Sequence, residues 1–467
     1  MASFWHVVTR GHAVEPERGW ATVGEIGAKP KARMATTTET AVRVARLLPT
    51  DLSGRETLVE YQARGGYADE TWTRTGVELI DAVEASGLRG RGGSGFPAGR
   101  KWRSVAGQPG GRVVLINAAE SEPASRKDRT LLILRPHLVL EGALLAARAV
   151  GADEVVLYAH DDAADALASV EAAWHELKTL RWRLPRWRIV TAAHGYVAGE
   201  ESAAIQRCNG KAAKPTFKPP LAYQRGIRNR PTLVQNVETL ANIPLIGARG
   251  ADWFRTVGTP EFPGTVLVTL SGAVRRPGVY EVGSGTPLGD VLEELGGGTP
   301  GGAGIRAVLV GGYFAGWLPG TAVDRVQLEP ASLARHGVAL GSAAIVVVPD
   351  TVCGLTQAVR LLQFFADESA RQCGPCTFGT QAMADALGRI ARGRLEPNDL
   401  VRLRTWAERT LPRRGACGHL DGATIAATTA LRVFADEIGT HTRRGTCGKP
   451  ATVVLPGLEE PSRHEPS

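Results

Sequence analysis

The chain has 467 residues, of which 43% are hydrophobic, and its 55 basic and 47 acidic residues give a formal net charge of +8. This composition is typical of a globular protein of several domains. The chain has no apolar run of about 18 residues and no signal peptide, so no membrane insertion is expected. Its basic residues form no stripe interleaved with aromatic residues, which argues against a nucleic-acid partner. We therefore predict a cytoplasmic protein that would reach a membrane complex only peripherally, through partners.

Hydrophobic periodicity divides the chain into segments of different character. The first 50 residues show no core-forming pattern and are expected to be a disordered extension. The predicted domains are an α/β domain at 51–262, a small β-rich domain at 263–350 and a helical domain at 351–448. A Pro/Glu/Ser-rich tail, 449–467, is expected to fray.

Helical and strand patterns alternate in the first of these domains. Helical spacing over 75–86 ends at Gly87, where a glycine-rich loop begins. The segments predicted after that loop are a strand at 112–116, a helix at 136–150, a strand at 154–158 and a helix at 163–180. This alternation indicates an α/β layer structure.

Short strands and then helices make up the rest of the chain. Strand-like runs such as TVLVTLSG and AIVVVP lie within 264–350, interrupted by a predicted helix at 288–295. From 356 to about 438 the pattern is mostly helical, which is typical of a small bundle.

The glycine-rich loop reads SGLRGRGGSGFPAGRKW over 86–102. Glycines allow the backbone to approach a phosphate or a planar ring and leave N–H groups free to bind it. Gly90, Gly92 and Gly95 match GxGxxG, but the segment before them is predicted to be helical, so the dinucleotide fingerprint lacks its strand. The nearby arginines and Lys101 nevertheless favour an anionic ligand.

Three polar residues, Asn117, Glu120 and Glu122, follow the predicted strand at 112–116. Ligands of α/β sheets bind at the carboxyl ends of the strands, where such side chains can contact hydroxyl or amide groups. A surface loop whose acidic residues cap a helix fits the same spacing. Spacing alone leaves both interpretations open.

Seven motifs occur in order along the chain: YQARGGY, SGLRGRGGSGFPAGRKW, NAAESEP followed by KDR (117–129), GYVAGEESA, GKAAKPTFKPP, RPTLVQNVETLAN and SGAVRRPGVYEV. Together they resemble the NADH-binding flavoprotein subunit of respiratory complex I and the related diaphorase subunits of NAD-linked hydrogenases and formate dehydrogenases. The resemblance implies an α/β flavin- and nucleotide-binding domain, then a small β-grasp (SLBB-like) domain, and finally a C-terminal helical bundle.

The resemblance also implies the cofactors and the residues that bind them. Those implied to hold FMN are Gly90, Gly92, Gly93, Lys101, Asn117, Glu120, Gly199, Glu200, Glu201, Asn236, Thr239 and Asn242. Those implied to surround the substrate NADH are Phe96, Glu122, Glu201 and Lys218. The implied reaction is hydride transfer from NADH to FMN, with no side chain required as an acid or base.

Several positions depart from the family pattern. Ala119 replaces an Asp that contacts the ribityl chain of FMN, and Gln235 replaces an Asn. Ser104 and Leu221 stand where the family has aromatic residues that sandwich the adenine, which leaves only Phe96. Because stacking of an aromatic ring on a base contributes about 1–3 kcal/mol, we expect weakened NADH binding.

The cysteines of the helical segment match the family's iron–sulfur motif incompletely. In SARQCGPCTFGT, Cys373 and Cys376 match two ligands of a [4Fe–4S] cluster and Cys417 matches the fourth, but Ala370 replaces the first. Four interpretations remain open: a cluster with an open corner, a cluster completed by Cys447 or His419, a zinc site that includes His419, or no metal. Cys208 and Cys353 are predicted to be ordinary buried thiols.

The favoured hypothesis is an FMN-dependent NADH dehydrogenase subunit that passes electrons to an iron–sulfur centre. Its partner would be a thioredoxin-like [2Fe–2S] subunit or another electron-transfer subunit. The alternatives are a flavin-binding electron-transfer module that no longer oxidises NADH, and a non-catalytic paralogue that binds neither cofactor.

Overall fold

The computed structural model describes residues 6–7 and 42–458. Its strands are β1 (His6–Val7), β2 (Arg112–Ala118), β3 (Ala152–His160), β4 (Arg186–Ala192), β5 (Thr232–Asn236), β6 (Thr265–Gly272), β7 (Gly278–Gly283), β8 (Ile305–Val310), β9 (Trp317–Pro319) and β10 (Ala344–Pro349). Its helices are α1 (Leu58–Ala63), α2 (Asp69–Thr73), α3 (Gly76–Ser86), α4 (Ala98–Ala106), α5 (Lys127–Leu134), α6 (Pro136–Val150), α7 (Ala164–Lys178), α8 (Glu201–Cys208), α9 (Val237–Arg255), α10 (Leu288–Asp290), α11 (Pro330–Ala334), α12 (Gly354–Asp367), α13 (Gly374–Ala391), α14 (Asp399–Thr405), α15 (His419–Val433) and α16 (Ala435–Arg444).

The α/β domain is built on a parallel sheet with strand order β4-β3-β2-β5. Helices α6 and α9 pack against each other, and α6 also packs on β2 and β3. Since all four strands run in one direction, their carboxyl ends meet at one edge of the sheet, where α/β proteins bind ligands. The predicted strands and helices of this domain are confirmed, each to within a few residues.

Helix α3 shows how local sequence sets the element that precedes the glycine-rich loop. The Thr75 hydroxyl accepts the Glu78 N–H (3.3 Å), and the Glu78 carboxylate accepts the Thr75 N–H (2.6 Å), which is a capping box. Gly87 ends the helix with φ +70°, a conformation that glycine adopts without strain. The loop therefore leaves a helix, as the sequence predicts.

The β-grasp domain has a mixed sheet of order β1-β7-β6-β10-β8-β9. Its buried face is formed by aliphatic side chains of β6, β8 and β10. The predicted helix at 288–295 is present as α10 followed by one π-helical turn, Val291–Leu295. In the helical domain that follows, α12 packs on α13 and α15.

The predicted extension at 1–50 is wrong for its last residues. The buried carboxylate of Glu281, on β7, accepts the backbone N–H groups of Arg46 (2.9 Å), Leu47 (2.7 Å) and Leu48 (3.0 Å). Both leucines are buried in the core of the α/β domain. Residues 42–50 thus join two domains, whereas residues 1–5 and 8–41 lie outside the described chain.

The predicted fraying of the tail is also wrong for residues 450–458. The Gln357 side chain, on α12, donates to the Thr452 carbonyl (2.8 Å) and accepts the Val454 N–H (3.3 Å). Leu455 is only 2% exposed. This segment is therefore held against the helical domain, and residues 459–467 lie outside the described chain.

Across the described residues, no single helix has the length and apolarity needed to cross a membrane. The pair α5 and α6, which meet at 99°, satisfies the criteria of length and composition only when the two are taken together.

Candidate flavin, nucleotide and iron–sulfur sites

The glycine-rich loop crosses the carboxyl edge of the parallel sheet. Asn117, at the end of β2, lies in register with Asn236, at the end of β5. A Cβ atom on Gly92 would come within 3.0 Å of the Asn236 Cβ, so the loop backbone lies directly against that residue. The Thr239 hydroxyl, in the first turn of α9, accepts the Arg91 N–H (2.8 Å). Three separate motifs thus meet at this edge of the sheet, and we call the region around Gly92, Asn117 and Asn236 the cofactor crevice.

Asn236 is fixed by buried charges. Its side-chain oxygen accepts the Glu238 N–H (3.0 Å) and caps α9, while its amide donates to Asp128 (2.5 Å). The buried Lys127 ammonium pairs with Asp128 (2.8 Å) and Glu238 (2.9 Å). Removing one member of such a network leaves an uncompensated buried charge, which typically costs about 3–5 kcal/mol. The floor of the crevice is accordingly rigid.

Gly199, Glu200 and Glu201, from the GYVAGEESA motif, border the crevice on the side of α8. The Asn117 amide donates to the Gly199 carbonyl (2.8 Å), and a Cβ on Gly199 would collide with the Ser121 hydroxyl at 2.5 Å. Glu200 caps α8 by accepting the N–H of Ser202 (2.8 Å). A residue larger than glycine at position 199 would therefore push the segment around Gly199 away from the segment around Ser121.

Two lysines face the acidic residues of this motif. Lys101, on α4, pairs with Glu201 (2.6 Å), and Lys218 pairs with Glu200 (2.8 Å) and lies 3.9 Å from Glu201. All four side chains are partly accessible to solvent. The pairs place two cations at the mouth of the crevice, where they can exchange a carboxylate partner for an anionic ligand.

Glu120 and Asn242 make contacts within the protein. The Glu120 carboxylate accepts the N–H groups of Asp128 (3.2 Å) and Arg129 (3.1 Å), which caps α5. Asn242 is buried and its amide donates to the Glu238 carbonyl (2.8 Å) one turn earlier in α9. In this arrangement both side chains stabilise the helices next to the crevice, Glu120 at the start of α5 and Asn242 within α9.

A buried polar atom without a partner marks the end of β5. Gln235 is 4% exposed, and its Nε2 has no hydrogen-bond partner among the described residues. An orphaned buried donor is costly unless a ligand or a water accepts from it. Gly93, with φ +108°, keeps the neighbouring loop backbone in a conformation that other residues rarely adopt. The orphaned donor, the glycine backbone and the facing cations fit a flavin phosphate and ring system.

Glu122 joins the α/β domain to the β-grasp domain. Its carboxylate accepts the Tyr313 N–H (3.0 Å), the Ala124 N–H (3.2 Å) and the Tyr196 hydroxyl (3.3 Å). Burial raises the pKa of Glu122 to about 7, although these hydrogen bonds act in the opposite direction. Tyr313 is fully buried.

The pKa of Glu122 predicts a pH-dependent stability that Glu122→Gln removes. The folded protein holds this proton more tightly than the unfolded chain, so stability falls as pH rises from the ordinary value of 4.5 to about 7, and is constant above it. As pH rises across this window, the unfolding free energy of the wild type should therefore fall by roughly 3 kcal/mol relative to that of the variant. Denaturant unfolding of both proteins at several pH values measures the difference, and parallel curves would contradict it.

Phe96 is the exposed aromatic residue of the glycine-rich loop, at 48%. The Arg100 guanidinium lies 6.0 Å from its ring centroid. The Ser104 hydroxyl donates to the Arg100 carbonyl (2.9 Å), inside α4, and Leu221 is 38% exposed. Of these three positions, only Phe96 offers a flat ring to a nucleotide base.

Cys373, Cys376 and Cys417 come together at one end of the helical domain. Burial, together with the neighbouring thiols of Cys373 and Cys417, raises the pKa of Cys376 to about 11, and a hydrogen bond between the Ser369 hydroxyl and the Cys376 sulfur (3.3 Å) opposes the shift. Burial raises the pKa of Cys417. The charge of Glu200 adds to this shift and the charge of Lys218 opposes it. The cysteine set therefore lies beside the lysine–glutamate pairs of the cofactor crevice.

The two candidates for a replacement ligand differ in what they contact. The Nε2 of His419 bonds to the Phe365 carbonyl (2.7 Å), and its Nδ1 is buried without a partner among the described residues. Cys447 instead lies with Cys353 and His441, and the three donor atoms are all within 4.8 Å of one another. Cys447 is thus engaged elsewhere, and Cys353 is not the isolated thiol that the sequence suggests.

Some residues of the crevice have roles that the sequence does not indicate. Lys127 and Asp128 stand in the KDR motif and Glu238 in NVET, but nothing in the sequence indicates that they form one buried ion network. Arg91 is also buried, with its guanidinium 4.2 Å from the Phe262 ring centroid and bonded to the Pro263 carbonyl (2.8 Å). A basic residue flanked by glycines suggests a ligand contact, whereas Arg91 ties the loop to the β-grasp domain.

Comparison with protein families agrees with this arrangement. Residues 83–245 match the Nuo51 FMN-binding domain, 267–312 the SLBB domain and 356–441 the NADH-ubiquinone oxidoreductase-F iron-sulfur binding region. The chain is also 35% identical over 412 residues to an F-type subunit of the NADH-quinone oxidoreductase of Rhizobium meliloti, covering 85% of this chain and 97% of that protein. The chain belongs to the family of F-type subunits of NADH-quinone oxidoreductases.

Other relatives come from the same family and from hydrogenases. The F-type subunit of Escherichia coli NADH-quinone oxidoreductase is 32% identical, with 81% of this chain and 88% of that protein covered. The NADP-reducing hydrogenase subunit HndC of Solidesulfovibrio fructosivorans is 33% identical, with 84% and 82% covered. A crystal structure of NAD+-reducing [NiFe]-hydrogenase matches with a TM-score of 0.72 and 32% identity over 80% of this chain, which spans 64% of that longer chain. The predicted fold class and family resemblance are confirmed.

Proposed function

We propose that this F-type homologue oxidises NADH at FMN bound in the cofactor crevice and delivers the electrons to an iron–sulfur cluster on the helical domain. The observation that supports the proposal is the proximity of the two sites: Cys417 lies within electrostatic range of Glu200 and Lys218. A short separation between redox sites is what an electron relay requires. Bound FMN would supply a hydride acceptor, and the chain's residues supply its binding and orientation.

The residues proposed for FMN act through fixed geometry. Gly90, Gly92 and Gly93 present backbone to the ligand, while Asn117 and Asn236 are held at the strand ends by the Gly199 carbonyl and by the buried charges. Because these groups are already in place, little conformational entropy is lost on binding. Lys101, paired with Glu201 at 2.6 Å, is the cation available to a phosphate.

Glu120, Thr239 and Asn242 are proposed to act as supports for FMN binding. The Thr239 hydroxyl accepts the Arg91 N–H at 2.8 Å and so sets the path of the glycine-rich loop. Glu120 and Asn242 hold α5 and α9, from which the buried charges project. The Gln235 amide is proposed to donate to the flavin, since it has no other acceptor among the described residues.

NADH is proposed to lie over the outer side of the crevice, between Phe96 and the wall formed by Glu122. Lys218 and Glu201 flank this opening and can contact the ribose and phosphate groups. Substrate stacked in this way excludes water from the flavin ring. With Ser104 and Leu221 in place of aromatic residues, binding of the adenine depends on Phe96.

Phe96→Ala tests this dependence. Loss of one base-stacking contact of about 1–3 kcal/mol should raise the KM for NADH by roughly 5- to 150-fold while FMN content stays the same. Steady-state assays with an artificial electron acceptor measure it. Phe378→Ala, at a 75% exposed position on α13, is the matched control. An unchanged KM in Phe96→Ala would remove Phe96 from the nucleotide site.

The cysteine set is proposed to hold a [4Fe–4S] cluster with three thiolates and one ligand of another kind. Cys373, Cys376 and Cys417 provide the thiolates, which are the standard ligands of such clusters. The unpartnered Nδ1 of His419 favours this side chain as the fourth ligand, because a buried ring nitrogen needs a partner. Its Nε2, bonded to the Phe365 carbonyl, would fix the ring, as the hydrogen-bond partners of metal-bound histidines commonly do.

The electrons are proposed to leave to a partner subunit with its own iron–sulfur centre, of the thioredoxin-like [2Fe–2S] type or similar. Relatives named as subunits of quinone oxidoreductases and hydrogenases support a role within a larger complex. Such partners would also determine whether the protein works at a membrane.

The cofactor content of protein purified without oxygen tests the proposal. About one FMN and roughly four irons with equivalent sulfide per chain are expected. Bound FMN without iron would favour a flavin module that hands electrons directly to a partner, and absence of both would favour a non-catalytic paralogue.

A further inference from the structure

A second group of metal-type ligands lies away from the cysteine set. Cys353 precedes the first turn of α12, His441 is near the end of α16, and Cys447 follows that helix. Their donor atoms all lie within 4.8 Å of one another, and this is the sole such group among the described residues. Cys353 and His441 are buried and Cys447 is partly exposed. The three residues come from two distant segments of chain, so their convergence is a property of the fold.

The histidine ring is oriented for coordination. Its Nδ1 donates to the Ala391 carbonyl (2.5 Å), so Nε2 carries a lone pair, and the Cys353 sulfur lies 3.4 Å from that nitrogen. Histidines that bind metals commonly donate their other ring nitrogen in this way. The lone pair accepts the N–H of Cys447 (3.1 Å), a hydrogen bond that a metal ion would replace.

The chemistry of the three ligand atoms indicates which metal they would bind. Two thiolates and an imidazole favour zinc, whereas magnesium and calcium prefer oxygen ligands. Bonds of about 2.0–2.3 Å in a tetrahedral zinc site place neighbouring ligand atoms roughly 3.3–3.8 Å apart, which matches the observed sulfur–nitrogen distance. A carboxylate also lies beside the group, since Glu437 Oε2 is 3.7 Å from the Cys353 sulfur.

The site sits at the start of the segment 447–458, which we call the C-terminal strap. The Cys353 N–H donates to the Pro450 carbonyl (2.9 Å), so the strap lies against the start of α12. Further along, the Tyr313 hydroxyl donates to the Pro456 carbonyl (2.5 Å), and the N–H of the same tyrosine donates to Glu122. The strap thus connects the metal-type ligands to the wall proposed for NADH.

We propose that Cys353, His441 and Cys447 form a structural zinc site that fastens the C-terminal strap to the helical domain. Metal binding would link the strap, through Cys447, to Cys353 and His441 of the helical domain, whereas the strap is otherwise held by hydrogen bonds and the buried Leu455. Zinc, which has no redox chemistry, would take no part in electron transfer. The proposal stands whether or not the chain oxidises NADH.

Zinc content of the full-length holoprotein and of single variants tests the proposal. The wild type should contain about one zinc per chain, and Cys447→Ser should lower zinc content at least about tenfold. Cys373→Ser should leave the zinc content unchanged, because it belongs to the other cysteine set, and Cys208→Ser is the control for a buried cysteine with no metal-type neighbours among the described residues. Zinc that is lost in Cys373→Ser but kept in Cys447→Ser would overturn the proposal.

Two further measurements give results even if a variant folds poorly. Zinc X-ray absorption of the wild type should show two sulfurs near 2.3 Å and at least one nitrogen near 2.0 Å, on the order of the usual zinc–cysteine and zinc–histidine bond lengths. Three or four sulfurs, no bound zinc, or a Cys353–Cys447 disulfide in peptides mapped without reduction would each contradict the proposal. Removal of the zinc by a chelator should speed backbone hydrogen exchange in residues 451–458 before it affects α12. The same exchange rate in 451–458 with and without zinc would contradict the proposal that zinc fastens the strap.

Discussion

Gly92→Val should purify with at least about tenfold less FMN than the wild type, because a ligand cradle made of backbone cannot accept a branched side chain. The new Cβ would lie 3.0 Å from the Asn236 Cβ and 3.4 Å from its Cγ. Either Asn236 moves, which disrupts the cap of α9 and the contact with Asp128, or the loop moves away from the sheet. Both outcomes change the crevice, and flavin absorbance per chain measures the loss.

The matched control is Gly54→Val. Gly54 has no heavy atom within 4 Å of its Cβ position and lies outside the crevice, so the substitution adds the same side chain without a collision. It should retain full flavin content. The circular dichroism spectrum of Gly92→Val should remain that of the wild type, since the buried core below the loop is untouched. Full FMN occupancy in Gly92→Val would mean that the flavin binds elsewhere.

Cys376→Ser should abolish the iron–sulfur cluster and leave the flavin in place. Cys376 is the most buried member of the cysteine set, and its sulfur interacts with Cys373 and Cys417 and with the Ser369 hydroxyl. Serine binds iron less well than a thiolate, and the chain already lacks the cysteine that Ala370 replaces, so only two thiolates would remain. Iron and acid-labile sulfide per chain should fall at least about tenfold.

Two comparison variants show whether the loss is specific. Cys208→Ser changes a buried thiol in the α/β domain and should keep all of the iron. Ala370→Cys restores the family's missing ligand and should preserve the cluster while shifting its reduction potential, because the fourth ligand changes. Wild-type iron in Cys376→Ser would contradict the assignment of the cysteine set, and an unchanged potential in Ala370→Cys would show that residue 370 does not reach the cluster.

Local periodicity is sufficient to predict the elements that frame the crevice. Helix α3, with its capping box and terminal Gly87, and the apolar strand β2 are set by residues close together in sequence. The sequence resemblance likewise brings the glycine-rich loop and the ends of β2 and β5 to one place, and the structure joins them through contacts such as that between Gly92 and Asn236.

Contacts between distant residues are what the sequence does not reveal. Arg46 and Glu281 are 235 residues apart, so the short apolar pair Leu47-Leu48 gives no local sign that it is buried. Cys353 and His441 are 88 residues apart and belong to no recognisable motif. Glu120 could be a ligand contact or a helix cap by spacing alone, and only the positions of the Asp128 and Arg129 N–H groups identify its role as a cap.

Entry of electrons from NADH through flavin bound in the cofactor crevice is tested most directly by anaerobic titration of the purified protein with NADH, followed by absorption spectroscopy. The flavin absorbance should bleach with about one NADH per flavin, since hydride transfer carries two electrons. Flavin that remains oxidised in excess NADH but bleaches with dithionite would contradict the oxidation of NADH by this chain. That result would show an intact flavin site in a chain that takes its electrons from another donor.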